Sequence, residues 1–150
     1  MKLLVINGPN LNLIGYREPD IYGLKTYKDL VGFIKDEAKK RKLKVKVIQS
    51  NHEGKIIDYL HKAICKYDGI IINPGALTHY SYSIYDAIKS INIKTIEVHL
   101  SDISKREDFR KTSVIKDACV KTFMGKHFDS YKEAIMYFAG EENVWKSKRI

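Results

Sequence analysis

Residues two apart on a strand share one face. In Ile96-Glu97-Val98-His99-Leu100-Ser101 a carboxylate and an imidazole therefore stand side by side, while Val98 points into the other layer. A carboxylate beside an imidazole fixes its tautomer and favours a ring that can give up a proton. The pair suits a proton donor, and a buried structural pair is the other reading. The Leu100 and Ser101 amides that follow, with the Ser101 hydroxyl, can cradle a carboxylate as a helix N-terminus holds an anion. Arg106 and Arg110 are four apart and share a face if residues 105–111 form a helical turn. With Asp102, Glu107 and Asp108 nearby they also fit an ordinary solvated face. In Asn73-Pro74-Gly75-Ala76-Leu77-Thr78-His79 the side-chain amide of Asn73 ends an apolar run, where it can meet a ligand oxygen. His79 precedes a helix and can cap it or face a ligand.

The first apolar run, residues 3–6, leads into residues 7–23, which carry three Gly, two Pro, three Asn, an Arg and two Tyr. The next helix start is Thr26. A strand-to-helix loop usually takes about 2–6 residues, and a longer one in a compact domain is often an active-site lid. Gly and Pro fix the path of such a loop, and Asn, Arg and Tyr can do chemistry on it.

The elements that must position these groups alternate. Strand-like runs fall at residues 3–6, 45–48, 69–72, 95–98 and 118–123. Helical periods fall at residues 26–42, 53–66, 81–91 and 130–139. Thr26 with Asp29, and Ser130 with Glu133, have capping-box spacing. Such alternation predicts an α/β fold, a five-stranded parallel sheet with helices on both faces, of flavodoxin-like type. Residues 1–140 form one domain in this reading, with a tail over 141–150. Ligands bind beyond the carboxyl ends of parallel strands, so the polar loops at 7–22, 49–53, 73–81 and 99–110 are the expected site.

Composition narrows the rest. A chain of 150 residues and 17.3 kDa is one domain's worth, and 44% hydrophobic residues can build a core. Residues 2–6 are too short for the apolar core of a signal peptide, and no run approaches a membrane span. Cys65 and Cys119 have no metal or redox spacing and read as buried thiols of a cytoplasmic protein. The five His show no zinc spacing. The formal charge of +9 raises nucleic acid as a partner. Yet the lysines between residues 35 and 46 do not alternate with aromatics as a base-stacking platform requires. They read as a solvated helix end, and a basic surface also suits an anionic small substrate. No GxxxxGK[ST] or GxGxxG is present, so a dinucleotide is not expected. A flavodoxin-like flavin carrier remains an alternative, whereas a receiver domain would want acidic residues where Asn7-Gly8-Pro9-Asn10 stands.

Five segments carry a family resemblance. They are Asn7-Gly8-Pro9-Asn10-Leu11-Asn12-Leu13-Ile14-Gly15, Arg17-Glu18-Pro19 with Tyr22-Gly23, Gln49-Ser50-Asn51-His52-Glu53-Gly54, Asn73-Pro74-Gly75-Ala76 with Thr78-His79, and Ile96 to Ser101. In order and approximate spacing the chain resembles type II 3-dehydroquinate dehydratases over about residues 1–140. The resemblance implies a flavodoxin-like fold, dodecamers built of trimers, and dehydration of 3-dehydroquinate to 3-dehydroshikimate without cofactor or metal. It implies Tyr22 as proton acceptor, Arg17 as its activator, and His99, backed by Glu97, as proton donor. It also implies substrate contacts from Asn73, His79, Leu100, Ser101 and Arg110, and from Asp86 across a subunit boundary. By the same resemblance Asn10 matches an asparagine near the developing enolate and Arg106 a lid-associated arginine.

The implied chemistry is physically reasonable. A free phenol, with pKa near 10, is a poor base at neutral pH, and bringing it to about 7 requires about 4 kcal/mol. One guanidinium in a partly dry site can supply that order of energy. Arg17 and Tyr22 lie on one loop, which can deliver both together and exclude water on closing.

Overall fold

The computed structural model describes residues 1–16, Asp20 and residues 24–141. Five strands, β1 (Lys2–Asn7), β2 (Lys44–Gln49), β3 (Gly69–Asn73), β4 (Thr95–Val98) and β5 (Lys121–Phe123), pair in parallel in the order β2-β1-β3-β4-β5. Among the described residues they are covered by the α-helices α1 (Tyr27–Lys40), α2 (Glu53–Lys62), α3 (Tyr82–Ile91) and α4 (Asp129–Phe138). This is the expected flavodoxin-like arrangement.

Strand alternation makes two cores. Leu3, Val5, Ile71, Ile96 and Val98 pack against α1 and α4, joined by Leu30, Ile34, Tyr131 and Ile135. Leu4, Ile6, Ile70 and Ile72 pack against α2 and α3, joined by Ile56, Leu60, Ile84 and Ile88. The central strand β3 is buried along its whole length, each isoleucine contributing about 1.5–3 kcal/mol. The edge strand β2 instead turns Lys44 and Lys46 outward, and charge on an edge discourages pairing with another chain. Part of the lysine excess is explained in this way.

Helix starts follow the sequence closely. Thr26 and Asp29 form the expected capping box on α1, and Ser81 caps α3 by accepting from the Ile84 N–H at 3.1 Å. The second expected box is absent. Helix α4 starts at Asp129, and Ser130 Oγ turns back to accept the Lys126 N–H at 3.1 Å. Glu133 binds the Lys126 ammonium instead. Helix α2 stops at Lys62, short of 66, because the chain must turn into β3. Cys65 takes a left-handed φ of 60° in that turn. Strand β5 starts at Lys121 rather than 118, since Lys116–Ala118 forms a 3-10 turn. Cys65 is exposed and Cys119 half-buried, so the expectation of two buried thiols fails at Cys65. Among the described residues no helix is long and apolar enough to cross a membrane.

The loop after β1 has structure of its own. Leu11–Leu13 is a 3-10 turn, and Leu11 and Ile14 are buried in the α1/α4-side core. Gly8 lets this loop lie against the one after β3. Its N–H donates to Asn73 O at 2.7 Å, and a Cβ on it would stand 2.6 Å from Pro74 O. Both partners are backbone, so neither can swing away. Gly8→Ala should destabilise the fold by about 1–3 kcal/mol, read as a lowered thermal or urea midpoint.

Candidate active site

The sheet reverses direction of winding between β1 and β3, the place where open α/β sheets bind ligands. A cleft of about 120 Å³ opens there. The loops after β1, β3 and β4 line it, with Asn10, Asn73, His79 and His99 among the polar groups. Ser101, Arg106 and Arg110 complete the far wall.

Glu97 and His99 form the pair expected from their spacing. His99 Nε2 lies 2.6 Å from Glu97 Oε1. The carboxylate is wholly buried and His99 only 5% exposed. A carboxylate accepts, so Nε2 carries the proton and Nδ1 is the ring atom left for exchange with a ligand. Glu97 also accepts from Thr78 Oγ1 at 2.5 Å, from Ser113 Oγ at 2.8 and 2.9 Å, and more distantly from Thr122 Oγ1 at 3.5 Å. Burial pushes this carboxyl up, but the His99 contact and the two nearer hydroxyls outweigh it, and the net shift is downward. The group is held ionised.

The chain from Arg110 to Val114 acts as a strap over the β3 loop. Thr112 O accepts from His79 Nδ1 at 2.8 Å, Ser113 reaches Glu97, and the Val114 N–H donates to Thr78 O at 2.8 Å. Binding Nδ1–H to a carbonyl leaves His79 Nε2 for the cleft. Burial lowers the His79 pKa, opposed by the Thr112 bond and reinforced by His99 and Arg110, which favours a neutral ring.

The cationic side of the cleft is built from Arg106, Arg110 and backbone. Arg106 and Arg110 do not share a helix. Two separate 3-10 turns, Ile103–Lys105 and Asp108–Arg110, are joined through extended backbone at Arg106. Both side chains nonetheless reach the cleft. Arg110 Nε stands 3.1 Å from Glu107 Oε2, yet this buried N–H makes no hydrogen bond among the described residues. The Leu100 O accepts the His127 N–H at 2.9 Å. That bond fixes the peptide whose Leu100 and Ser101 neighbours line the cleft. Asn10, at a left-handed φ of 67°, is tied down through its N–H to Asn51 Oδ1 at 3.0 Å. Gln49 donates to the same oxygen at 2.9 Å. The Gln49-to-Gly54 motif thus supports the first loop from outside the cleft.

The family profile described as Dehydroquinase class II matches residues 1–139. The chain belongs to the class II dehydroquinase family. The 3-dehydroquinate dehydratase of Clostridium beijerinckii is 58% identical over 136 residues, spanning 90% of this chain and 93% of that one. The 3-dehydroquinate dehydratase of Clostridium perfringens strain 13 is 56% identical over 149 residues, 99% of this chain and 100% of the relative. The crystal structure of type II dehydroquinase from Butyrivibrio crossotus superposes with a TM-score of 0.90 at 48% identity, covering 93% of this chain and 97% of that one.

Within this class II dehydroquinase fold, His99, Asn73, His79, Leu100, Ser101 and Arg110 gather on one cleft, together with Asn10 and Arg106. Asp86 does not: it is exposed on α3 and absent from the cleft lining. Arg17 and Tyr22 lie outside the described residues, as does the tail from 142 on. Ser113 and Thr122 escaped the sequence reading. Thr122 had a signal, since it stands opposite Glu97 in the β4–β5 register. Ser113 had none, because a loop residue has no period to reveal its direction. Glu97 also gives stability a defined pH dependence. Its folded pKa lies below the ordinary 4.5, so its contribution is complete above that pH and is lost as pH falls through the folded value. Glu97→Gln should flatten that part of an acid-unfolding profile followed by circular dichroism.

Proposed function

We propose that this chain dehydrates 3-dehydroquinate to 3-dehydroshikimate by removing a proton beside the ketone and expelling the β-hydroxyl. The observation that carries the reading is the ionised Glu97 holding His99 at the mouth of a cleft whose other wall is cationic. The family, 3-dehydroquinate dehydratase of the shikimate pathway, is that of the chain.

The elimination needs a base, an acid and donors for the enolate. Tyr22, with its phenol activated by Arg17, takes the α-proton, and the electron pair moves onto the ketone oxygen as an enolate near Asn10. The enolate collapses, the carbon–oxygen bond to the hydroxyl breaks, and His99 protonates the leaving oxygen to give water. Arg110, His79, Asn73 and the Leu100 and Ser101 amides hold the carboxylate and hydroxyls. None of these roles calls for a metal or cofactor. Tyr22 and Arg17 are assigned from their motif positions.

With purified protein and 3-dehydroquinate, ultraviolet absorbance of the conjugated enone should rise. Tyr22→Phe should cut kcat by about 10²–10⁴ and abolish exchange of the substrate α-proton in deuterated water, followed by NMR. His99→Ala should lose turnover yet keep that exchange. The opposite pattern would reverse the two roles.

Assembly belongs to the same reading. Tyr82 and Asp86 are one turn apart on α3 and both exposed, so Asp86 is free to serve a neighbour's cleft. Tyr80, Tyr82 and Phe109 are 61%, 69% and 63% exposed, and the Phe109 ring meets His79 edge-on at 6.2 Å; exposed aromatics of this kind are what a second copy covers. A trimer is then the smallest competent unit, and four trimers make a dodecamer. Asp86→Ala and His99→Ala proteins, each impaired alone, should recover activity when dissociated and reassembled together. A monomer by light scattering with full turnover would contradict the assignment.

A further inference from the structure

A buried polar row lies beneath the cleft. Asn7 and Asn73, the last residues of β1 and β3, are register partners, and both are buried on the α1/α4 side of the sheet. Tyr131 of α4 reaches them from a wholly buried position. Its hydroxyl donates to Asn7 Oδ1 at 2.7 Å and accepts from Asn73 Nδ2 at 2.8 Å. Asn7 Nδ2 in turn faces the Tyr27 hydroxyl at 3.4 Å. The donors all run one way, from Asn73 through Tyr131 and Asn7 to Tyr27.

Packing alone does not call for this hydroxyl. A phenylalanine would fill nearly the same space without a polar group that must find partners. The row has a consequence at its other end. Because the Tyr131 proton is committed to Asn7, its oxygen can only accept, and it selects the Asn73 amide nitrogen. Asn73 Oδ1 is held on the other side by the Gly75 N–H at 3.2 Å. The amide cannot flip without breaking both contacts. One Nδ2 hydrogen remains for the cleft that Asn73 lines.

We propose that Tyr131 is a positioning residue for the dehydration, fixing the Asn73 amide so that an N–H meets a hydroxyl or carboxylate oxygen of the substrate. The proposal rests on the dehydratase reading and on Asn73 as a substrate contact. It extends the functional set to a residue of helix α4, on the same side of the sheet as Asn73, which touches no ligand itself.

Tyr131→Phe in the full chain removes only the hydroxyl. KM for 3-dehydroquinate should rise roughly 2- to 10-fold, the size of one lost neutral hydrogen bond, with a much smaller change in kcat. In an Asn73→Ala background the same substitution should leave KM where Asn73→Ala alone put it, since no amide remains to orient. Asn7→Ala provides a second route if Tyr131→Phe does not fold. It frees the Tyr131 proton to meet either end of the amide, and KM should again rise only while Asn73 is present. An unchanged KM, or a rise of equal size with and without Asn73, would reduce Tyr131 to core packing and overturn the proposal. A wild-type chain with no turnover would instead overturn the reaction, and this role with it.

Discussion

An ionised carboxylate with no exposure to solvent is the constraint around which the site is organised. Taking such a group out of water costs several kcal/mol unless donors replace the water. Glu97 meets that demand with groups from four separate stretches of chain: Thr78 after β3, His99 after β4, Ser113 on the strap and Thr122 on β5. Leaving out His99, Thr78 or Ser113 would unbalance a buried charge. The fold and the proton-transfer group are thus held in place by the same set of bonds, which is why the histidine can be both buried and chemically poised.

The two faces of the sheet contribute differently to the cleft. The α2/α3 side supplies the charged chemistry through Glu97 and His99. The α1/α4 side supplies neutral polar order through Asn7, Tyr131 and Asn73. Both sets sit at the carboxyl ends of strands because that is where the chain leaves the ladder and side chains stop being claimed by the two cores. The loops there are kept close by backbone contact. A Cβ on Gly75 would stand 2.9 Å from Pro9 O, and one on Gly8 nearer still to Pro74 O. The loops after β1 and β3 are packed backbone against backbone, while Arg106 and Arg110 carry positive charge along the cleft wall.

The fold was largely legible in the sequence. Among the described residues, period-2 and period-3.6 patterns located the five strands and the helices α1 to α4, because local hydrophobic spacing reflects which face is buried. The Thr26–Asp29 box on α1 was legible for the same local reason. The failures were local choices among competing partners. Ser130 had box spacing, but helix α4 starts one residue earlier, at Asp129, and Ser130 Oγ accepts the Lys126 N–H four residues back. The arginines had helical spacing, but the chain at 103–110 is broken into two short turns that must bridge from β4 toward the strap.

The site divides along the same line. Residue types and spacing alone determined the Glu97–His99 pair, since a strand fixes which residues share a face, and motif order pointed to the family. Only the tertiary structure decided that Ser113 braces Glu97, that Thr112 fixes the His79 tautomer, and that Tyr131 holds Asn73. Those contacts join residues 16, 33 and 58 positions apart. No local period encodes them. They exist because parallel strands place loops from distant parts of the chain at one edge of the sheet, where buried polar groups must find whatever partners the packing brings near.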